Sequence, residues 1–408
     1  MADLSPKEAA LRIIRRLVEH DHTALLAGGC VRDMLLGHEP TDYDVATDAP
    51  PERVIELFRR TRRVGEQFGV VLVKQGRGWT EVATFRTDLG YQDGRHPTGV
   101  VFSTPQEDAK RRDFTINGMF YDPLTETTID YVEGQEDLRR GIIRAIGNPT
   151  DRFAEDSLRM LRAVRFAARL SFTIEPVTQA AIVAHAADVG RVSAERIREE
   201  LEKMLTHPTR ANAVARAGTC TLLDHLWPDA AWSAERTVDA CDILGRLPDD
   251  VSFPTALAGL LEGYSTDQVN RICRDLTCSN DQRKTVTWLT DNQSALVDPH
   301  RLTLADLKLL MQHPAFDDLL NLFRVRLITR LKGLSAYRKI RHRADAIPAD
   351  AVAPPPLLTG DDLIAMGYEP SPAFGPVLNT VYRAQLDEEI TERDPARDLA
   401  RRLLAKNS

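Results

Sequence analysis

The sequence has 408 residues, of which 43% are hydrophobic and 28% are charged, and its formal net charge at pH 7 is -7. These proportions are ordinary for a globular protein with sizeable cores, and they exclude a disordered, collagen-like or coiled-coil chain. No apolar run approaches the roughly 18 residues that a membrane span requires, and residues 1–17 have the pattern of an amphipathic helix rather than of a signal peptide. The length favours about two to four domains, and we expect a cytoplasmic protein with no membrane contact.

The cysteine and arginine contents narrow the chemistry. Five scattered cysteines form no C-x-x-C pair, which argues against a zinc ribbon and a disulfide scaffold, so reduced thiols fit best. Arginine supplies 44 of the 53 basic residues, and its planar guanidinium suits phosphates and base edges. Genomic base composition explains the same bias equally well, and the acidic net charge does not by itself indicate a nucleic-acid partner.

The first 146 residues mix strand and helix signals. Segments 11–18 and 51–60 have helical spacing, whereas short β-prone runs are bounded by Gly, Pro or Asp. The predicted strands are 23–27, 42–46, 70–73, 81–85, 129–132 and 142–146.

From Asp151 onward strand signals nearly vanish and helical periodicity dominates. Segments 158–170 and 194–205 are strongly predicted helices, and the chain up to about residue 340 continues as helices with short polar loops. Four prolines within 346–356 indicate a linker. After it, 359–404 resumes as a small helical tail.

Two glycines, Gly28 and Gly29, follow the first predicted strand and precede a predicted helix. Backbone N–H groups at such a turn point outward at a helix N-terminus, where they can hold a phosphate. A Gly-Gly turn alone is more often structural. Arg32, just inside the helix, favours phosphate binding because its guanidinium can lie over a triphosphate.

Asp42 and Asp44 stand two positions apart on a predicted strand. The pleat puts both carboxylates on one face, which is costly unless a cation neutralises them. Mg²⁺ suits such a pair because it takes few carboxylates and completes its shell with water and phosphate oxygens. An isolated D-x-D pair is common on surfaces, but here it follows a phosphate-binding turn, and Glu81 offers a third carboxylate. The set predicts a two-metal site that activates an attacking hydroxyl and stabilises leaving pyrophosphate.

Charged residues recur at helical spacing around the start of segment 158–170. Asp156 and Arg159 are three apart, and Glu155, Arg159 and Arg162 follow i, i+4 and i+7, so one side of a helix would carry them all. A solvated ladder of ion pairs is the commoner explanation of such spacing. Flanking apolar residues indicate a packed helix instead. A carboxylate beside a guanidinium then matches the edge shared by cytosine and adenine, whereas uracil and guanine present reversed polarity.

Taken together, these strings resemble the motifs of the tRNA nucleotidyltransferase and bacterial poly(A) polymerase family, and more specifically its class II branch. The opening motif of the family is similar to GGCVRDMLLG and TDYDVAT here, and its nucleobase-reading motif is similar to EDSLRMLR. The resemblance covers most of the chain, and Gly118 stands where alanine is commoner. Further similar segments are 84–86, 91–95, 111–117, 134–144, 358–363 and 384–386.

The resemblance implies a fold and its boundaries. An α+β, polymerase-β-like nucleotidyltransferase head with a small mixed sheet would occupy 1–146, and an all-α neck, body and tail would follow. The neck (147–205) would carry the base-reading motif, the body would span 206–345, and the Pro-rich linker with the tRNA-binding tail would span 346–408.

The resemblance also implies roles for single residues. The ribose and triphosphate would be contacted by Arg112, Asp113 and Asn117. The local sequence pattern is explained equally well by a cluster of residues at the start of a helix. Asp156 and Arg159 would select C or A without a nucleic-acid template, and segment 91–98 would rearrange the pocket for A after C. The predicted catalytic residues are Asp42, Asp44 and Glu81, the metal ligands Asp42 and Asp44, and the nucleotide-binding residues Gly28, Gly29, Arg32, Arg112, Asp113, Asn117, Asp156, Arg159 and Arg162.

The implied activity is template-independent addition or repair of the 3′-terminal CCA of tRNA, or of its terminal A. ATP and CTP would be substrates, Mg²⁺ the cofactor and pyrophosphate a product. The tRNA acceptor stem and elbow would be held by phosphate contacts and shape, and no protein partner is predicted. Candidate RNA contacts are Arg196, Arg198, Arg324, Arg326, Arg330 and Arg338.

Three alternatives stay open. The first is a bacterial poly(A) polymerase on the same scaffold, against which the compact helical tail argues. The second is an A-only enzyme of a split system. The third is a catalytically inactive RNA-binding module, which has no reason to keep both Asp42 and Asp44.

Overall fold

The computed structural model describes residues 4–64, 69–91, 97–227 and 232–406. Within these ranges the strands concentrate in the first third of the chain, and helices dominate the remainder. The strands are β1 (Ala24–Ala27), β2 (Asp44–Thr47), β3 (Thr61–Arg63), β4 (Val70–Gln75), β5 (Gly78–Thr84), β6 (Arg86–Tyr91), β7 (Pro97–Phe102), β8 (Phe120–Asp122), β9 (Thr127–Ile129), β10 (Ile142–Ile143) and β11 (Thr173–Ile174).

The helices run from the first described residues to the last. In chain order they are α1 (Pro6–Val18), α2 (Gly29–Leu35), α3 (Pro51–Leu57), α4 (Pro105–Lys110), α5 (Gly134–Arg140), α6 (Pro149–Glu155), α7 (Leu158–Leu170), α8 (Pro176–His185), α9 (Ala194–Leu205), α10 (Arg210–Thr219), α11 (Leu222–Leu226), α12 (Ala234–Leu244), α13 (Phe253–Leu260), α14 (Thr266–Asp275), α15 (Asn280–Asn292), α16 (Leu304–Met311), α17 (Phe316–Thr329), α18 (Ser335–Asp345), α19 (Ala349–Val352), α20 (Gly360–Ala365), α21 (Phe374–Leu386) and α22 (Arg393–Lys406).

Seven strands form one mixed sheet in the order β3-β4-β5-β2-β1-β8-β9. β1 is antiparallel to β2 and β8, whereas β2 and β5 are parallel, with Val45 opposite Val82. β6 and β7 form a separate antiparallel pair. The predicted α+β head with a small mixed sheet is therefore confirmed.

The two faces of β4 and β5 differ in burial. Val71 and Val73 on β4, like Thr80 and Val82 on β5, are buried, and the residues between them reach solvent. The buried face packs against α1 and α3. We call the opposite face, which carries Leu72, Lys74, Trp79 and Glu81, the open face.

Helix α1 shows how local sequence builds the covered face. Ser5 and Glu8 form a capping box, and Pro6 occupies the first turn, where a missing N–H costs no hydrogen bond. The apolar residues recur at i, i+3 and i+4, so one stripe of the helix is buried. That stripe consists of Ala9, Ala10, Ile13, Ile14 and Leu17.

The chain forms two compact units. The first is Met1–Cys241 with Asp275–Thr277, and the second is Asp242–Arg274 with Cys278–Ser408. Within the second unit α20, α21 and α22 share a small apolar core. The boundaries at 146, 205 and 345 stay predictions.

Several elements match the sequence-based expectations, and others do not. Helices α7 and α9 coincide with the predicted segments, whereas the predicted linker contains the short helix α19. β3 was not predicted because Thr61-Arg62-Arg63 has no apolar alternation to signal a strand. β6, β7, β8 and β11 were also missed. Residues 92–96 of the predicted loop 91–98 lie outside the described residues, and in the described part no helix is long and apolar enough to cross a membrane.

Two departures concern predicted site residues. β2 begins at Asp44, so Asp42 precedes the strand instead of lying on it. α6 ends at Glu155 and α7 begins at Leu158, so Asp156 lies between two helices and does not share a helix with Arg159. The Asp156 carboxylate accepts a hydrogen bond from the Leu158 N–H at 3.1 Å. Such a local bond competes with continuation of a helix through Asp156.

Candidate active site

A cavity of about 420 Å³ in the first unit is lined by all nine of the predicted nucleotide-binding residues. Its side chains include six arginines and three aspartates, so its charge is strongly positive. It is lined by Gly28, Gly29, Arg32, Asp44, Arg111, Arg112, Asp113, Asn117, Asp156, Arg159, Arg162, Phe166 and Arg196.

The glycine turn forms one wall of the cavity. Gly28 has a φ of +75°, a backbone conformation that residues with a Cβ rarely adopt. A Cβ at this position would also lie 3.0 Å from Nη1 of Arg112. Gly28 thus suits the left-handed turn before α2, and it leaves room for a guanidinium close to the backbone.

A chain of hydrogen bonds joins three segments at the bottom of the cavity. Nη1 of Arg32 donates to Oδ1 of Asn117 at 2.8 Å, and Nδ2 of Asn117 donates to Oδ1 of Asp113 at 3.1 Å. Arg162 donates from Nε and Nη2 to Oδ2 of Asp113 at 2.9 and 2.6 Å. Burial alone would raise the pKa of Asp113, but Arg162 and Asn117 outweigh it and lower that pKa. Asp113 is therefore a fixed anion that orients Arg162.

A second buried carboxylate, Asp108, orients the two arginines at the end of α4. Its Oδ1 lies 2.7 Å from Nη2 of Arg111, and its Oδ2 lies 2.9 Å from Nη2 of Arg112. Burial would raise the pKa of Asp108, but the two guanidiniums together lower it. Asp108 was not predicted, although its i, i+3 and i+4 spacing to Arg111 and Arg112 was visible in the sequence.

Asp44 is the only predicted catalytic residue among those lining the cavity within the described part of the chain. Desolvation, the carboxylate of Glu81 and more weakly that of Asp42 raise its pKa to about 6, while Arg112 acts in the opposite direction. The register of β2 against β5 places Asp44 beside Glu81. The three carboxylates therefore act electrostatically as one cluster, although Asp42 and Glu81 lie outside the cavity lining.

The donor set of this cluster fits a divalent cation in chemistry. A carboxylate with a raised pKa beside two others is stabilised as an anion by a nearby positive ion. In the described residues, however, no three acidic, histidine or cysteine side chains are arranged as a complete ligand set. Protein carboxylates alone do not complete the coordination, which is ordinary for Mg²⁺ because water and phosphate oxygens supply its remaining ligands.

Replacing Asp44 by asparagine is expected to stabilise the metal-free protein at neutral pH. Because folding raises the pKa of Asp44 from 3.8 to about 6, folding favours the protonated form, and stability is lost as pH rises between these values. Solvent exposure screens the cost, so we expect Asp44→Asn to gain about 1 kcal/mol above pH 6 and nothing below pH 4. Urea unfolding of both proteins across that pH range measures the difference.

The magnesium dependence of the same melts provides the control. Mg²⁺ should stabilise the wild-type protein and leave Asp44→Asn nearly unchanged, because the variant keeps the fold and loses the anionic ligand. Equal stabilisation of both proteins would contradict the assignment of Asp44 to the metal.

The Asp156 carboxylate is engaged by an arginine from a distant helix. Nη1 and Nη2 of Arg196, on α9, donate to Oδ1 and Oδ2 of Asp156 at 3.1 and 2.7 Å. Such a two-point pair fixes the plane of the carboxylate. Sequence analysis had assigned Arg196 to RNA contacts, and it missed this pairing because the two residues are 40 positions apart.

Arg159 does not pair with Asp156 in this structure. Its Nη1 donates to Oε2 of Glu155 at 2.8 Å, and its Nη2 donates to the backbone carbonyl of Arg111 at 3.2 Å. The ion pair with Glu155 is the i, i+4 contact that the ladder alternative predicted. Arg159 nevertheless lines the cavity together with Asp156, so both reach the same space from different elements.

Phe166 is an aromatic residue of the lining that the predicted set of site residues did not include. The guanidinium carbons of Arg32 and Arg162 lie 5.2 and 5.4 Å from its ring centre. Its neighbourhood also includes Phe114, whose ring is nearly perpendicular at 6.0 Å. Phe166 thus packs against the guanidiniums of these two lining arginines and, at 4.2 Å, against that of Arg165. Its position on the same helix as Arg159 and Arg162 was the signal that could have identified it.

The comparisons with known proteins agree with this geometry. The family model described as "Poly A polymerase head domain" matches residues 24–144, and that described as "Probable RNA and SrmB- binding site of polymerase A" matches 171–233. A CCA-adding enzyme of Geobacillus stearothermophilus is 42% identical over 259 residues, which span 59% of this chain and 64% of the relative. A CCA-adding enzyme of Lactobacillus delbrueckii subsp. bulgaricus is 33% identical over 95% of both chains.

The chain belongs to the CCA-adding enzyme family. The first-named relative of that family is matched over slightly less than two thirds of its length, whereas the second is matched over nearly all of it. The resemblance noted from the sequence motifs is confirmed.

Solved structures of CCA-adding enzymes share the fold. The crystal structure of the Bacillus stearothermophilus CCA-adding enzyme in complex with CTP has a TM-score of 0.80, with 28% identity and 99% of both chains covered. The Thermotoga maritima CCA-adding enzyme complexed with tRNA has a TM-score of 0.67 at 21% identity and shows likeness of fold. The α+β head followed by helices is therefore the architecture of this family.

Proposed function

We propose that this chain is a tRNA nucleotidyltransferase that adds or repairs the 3′-terminal CCA, or its terminal A, with CTP and ATP as substrates. The observation that carries the proposal is the single cavity in which Asp44, six arginines and Asp156 come together. Arginines around a glycine turn suit a triphosphate, and Asp44 offers the carboxylate that nucleotide transfer needs. Membership of the CCA-adding enzyme family supports the choice of tRNA.

We assign the triphosphate to the glycine turn and its arginines. Gly28 and Gly29 offer backbone N–H groups at the start of α2, and Arg112 reaches across Gly28. Arg32 is only 4% exposed and already donates to Asn117, so its part is to position Asn117 and Asp113 for the ribose. Arg162 is fixed by Asp113, and its Nη1 lies 3.7 Å from Oε1 of Glu200. The ligand would accept from the N–H groups that these two carboxylates leave.

Mg²⁺ would be held by Asp42 and Asp44, with Glu81 strengthening the local negative charge. When bound, the ion would make the primer 3′-hydroxyl a better nucleophile and neutralise charge on the leaving pyrophosphate. The contribution of the chain itself is to bring Asp44 within the arginine-lined cavity and to keep its carboxylate partly desolvated.

Asp156 and Arg159 are proposed to select the base. A carboxylate accepts from the exocyclic amine of adenine or cytosine, and a guanidinium donates to the adjacent ring nitrogen. Arg196 forms an ion pair with Asp156, and Glu155 forms one with Arg159. The base therefore has to compete with these partners or use the lone pairs and N–H groups that they leave.

Basic residues of the second unit are proposed to hold tRNA. A cavity of about 580 Å³ is lined by four basic or histidine side chains of α18 and by His300. Arg326 and Arg330 of α17 both pair with Glu262, so they are positioned but partly neutralised. The α18 residues lining the cavity are Arg338, Lys339, His342 and Arg343.

The same scaffold also suits a bacterial poly(A) polymerase, which the description of the matched head model favours. Incubation of the purified protein with tRNA lacking CCA, tRNA ending in CC and an oligo(A) primer, each with labelled CTP or ATP, separates the possibilities. We expect CTP and ATP incorporation that stops at CCA. Long poly(A) products without CTP use would replace the proposal, and A addition restricted to tRNA ending in CC would narrow it to an A-only enzyme. We place the reaction in the cytoplasm, where tRNA maturation requires it.

A further inference from the structure

The open face of the sheet carries a cationic cluster beside the proposed catalytic carboxylates. On β5, Trp79 stands two positions before Glu81, and in the antiparallel register Lys74 faces Trp79 and Leu72 faces Glu81. On the edge strand β3, Arg62 faces Leu72. Because side chains alternate along a strand, these residues share one face, and the parallel register of β2 against β5 puts Asp44 there too.

Trp79 holds two cations in place. The guanidinium carbon of Arg62 lies 4.4 Å from the Trp79 ring centre, and Nζ of Lys74 lies 5.5 Å from it. Both distances are within the range of a cation–π interaction. Arg62 is exposed, and Trp79 and Lys74 are partly exposed. Neither Arg62 nor Lys74 forms an ion pair with any residue in the described ranges.

This arrangement is unlike that of the nucleotide cavity. There, Arg162 and Arg196 pair with Asp113 and Asp156, whereas Arg62 and Lys74 are fixed by an aromatic ring that carries no net charge. Within the described ranges, no carboxylate neutralises their positive charge. A chain of net charge -7 thus presents an ordered pair of cations on the same face as Asp44.

We propose that Arg62, Lys74 and Trp79 form a phosphate-binding platform for the RNA strand whose 3′-hydroxyl reaches Asp44. The proposal rests on the proposed function, because it assumes an RNA primer. Trp79 lies two residues, about 7 Å, along β5 from Glu81, and Arg62 lies three strands, about 14 Å, across the sheet from Asp44. These spans are comparable to one and two extended nucleotides. The platform therefore lies where the phosphates next to the reacting hydroxyl have to pass, while the carboxylates repel phosphates from the catalytic end of the face.

The platform explains how a strand is oriented without base readout. Cations at one end of the face and carboxylates at the other end give it polarity, so a strand enters with its backbone over Arg62 and Lys74. Contacts to phosphates position a nucleic acid and carry no sequence information. Such a contact suits an enzyme whose primer end changes after every addition.

The test compares Arg62→Ala/Lys74→Ala with wild type by fluorescence anisotropy of labelled tRNA ending in CC, across a series of salt concentrations. Loss of two phosphate contacts should weaken binding about 10- to 50-fold near 0.1 M salt and reduce the slope of log affinity against log salt by about 1.4. The KM for ATP and kcat at saturating tRNA should stay within about twofold, because the variant keeps the nucleotide cavity.

The matched control removes the same charge elsewhere on the head. Arg15→Ala/Arg140→Ala takes two exposed arginines from α1 and α5, and it should leave the salt slope unchanged. Neither residue lines the cavity that Lys74 shares with Arg12 and Arg59. Trp79→Ala should raise the KM for tRNA with an unaltered KM for ATP, and Trp79→Phe should restore most of the affinity because phenylalanine keeps an aromatic face.

The outcomes separate the platform from the proposed function. An unchanged tRNA affinity and salt slope in Arg62→Ala/Lys74→Ala would overturn the platform, even in an active enzyme. An equal loss in the control variant would also overturn it, because the effect would then be one of overall charge. The tRNA-binding measurements alone test the platform. The proposed function is tested separately, and it would be overturned by a wild-type protein that transfers no nucleotide to any of the RNAs.

Discussion

Asp44→Ala is expected to lower kcat for nucleotide transfer by about 1,000-fold or more. Among the described residues, Asp44 is the one carboxylate that both lines the cavity and carries a raised pKa. Asp44 is placed to hold a cation against the substrate triphosphate, and no other carboxylate of the Asp42 and Glu81 cluster reaches the cavity lining. Single-turnover incorporation of labelled ATP into tRNA ending in CC measures the loss. The affinity for tRNA should stay within about twofold.

Two further variants make this experiment specific. Glu52→Ala removes an exposed carboxylate from α3 and should leave turnover unchanged. Asp42→Ala tests a position that the structure places before β2, outside the cavity lining, and the metal proposal requires it to lose activity as well. Retention of normal turnover in Asp44→Ala would remove the metal assignment.

Asp156→Ala should reduce the preference for ATP over GTP by about 10- to 100-fold, the discrimination that one bidentate base contact provides. Asp156 supplies the only carboxylate on the cavity lining besides Asp44 and Asp113 in the described part of the chain, and Asp113 is occupied by Arg162. Competition between labelled ATP and GTP on tRNA ending in CC measures the ratio directly.

Variants of the two arginines near Asp156 separate the contribution of base recognition from that of orienting the carboxylate. Arg159→Ala should lower the same preference, because it removes donors to the ring nitrogen. Arg196→Ala should lower kcat/KM for ATP more than it alters the preference, because Asp156 remains but loses the two hydrogen bonds that orient it. Negligible GTP and UTP incorporation by both Asp156→Ala and Arg159→Ala would contradict the base-reading role.

Hydrophobic periodicity and local motifs were sufficient to predict much of the fold from the sequence. The long amphipathic helices α7 and α9 were placed correctly because their buried residues recur at helical spacing. The glycine turn was also foreseen, and the structure gives its reason in the positive φ of Gly28 and the nearby Arg112. Both features are determined by residues close together in the chain.

What the sequence could not supply are the contacts between distant segments. Asp156 meets Arg196 and Asp113 meets Arg162 across 40 and 49 positions, and no spacing rule predicts such partners. The helix break at Asp156 had a local signal in the capping tendency of Asp-Ser, but the strong charge periodicity across it suggested one continuous helix. The open face followed only from the register of β3, β4 and β5.

The arginines of the cavity are already committed to partners before any nucleotide arrives. Asn117 holds Arg32, Asp113 holds Arg162 and Asp156 holds Arg196. Restricting a long side chain to one rotamer costs up to about 2 kcal/mol of conformational free energy. For these arginines that cost is incurred when the protein folds and not when the nucleotide binds. Nucleotide capture therefore begins from guanidiniums that the fold has already ordered, and the incoming substrate competes with Asp113 for Arg162 and with Asp156 for Arg196.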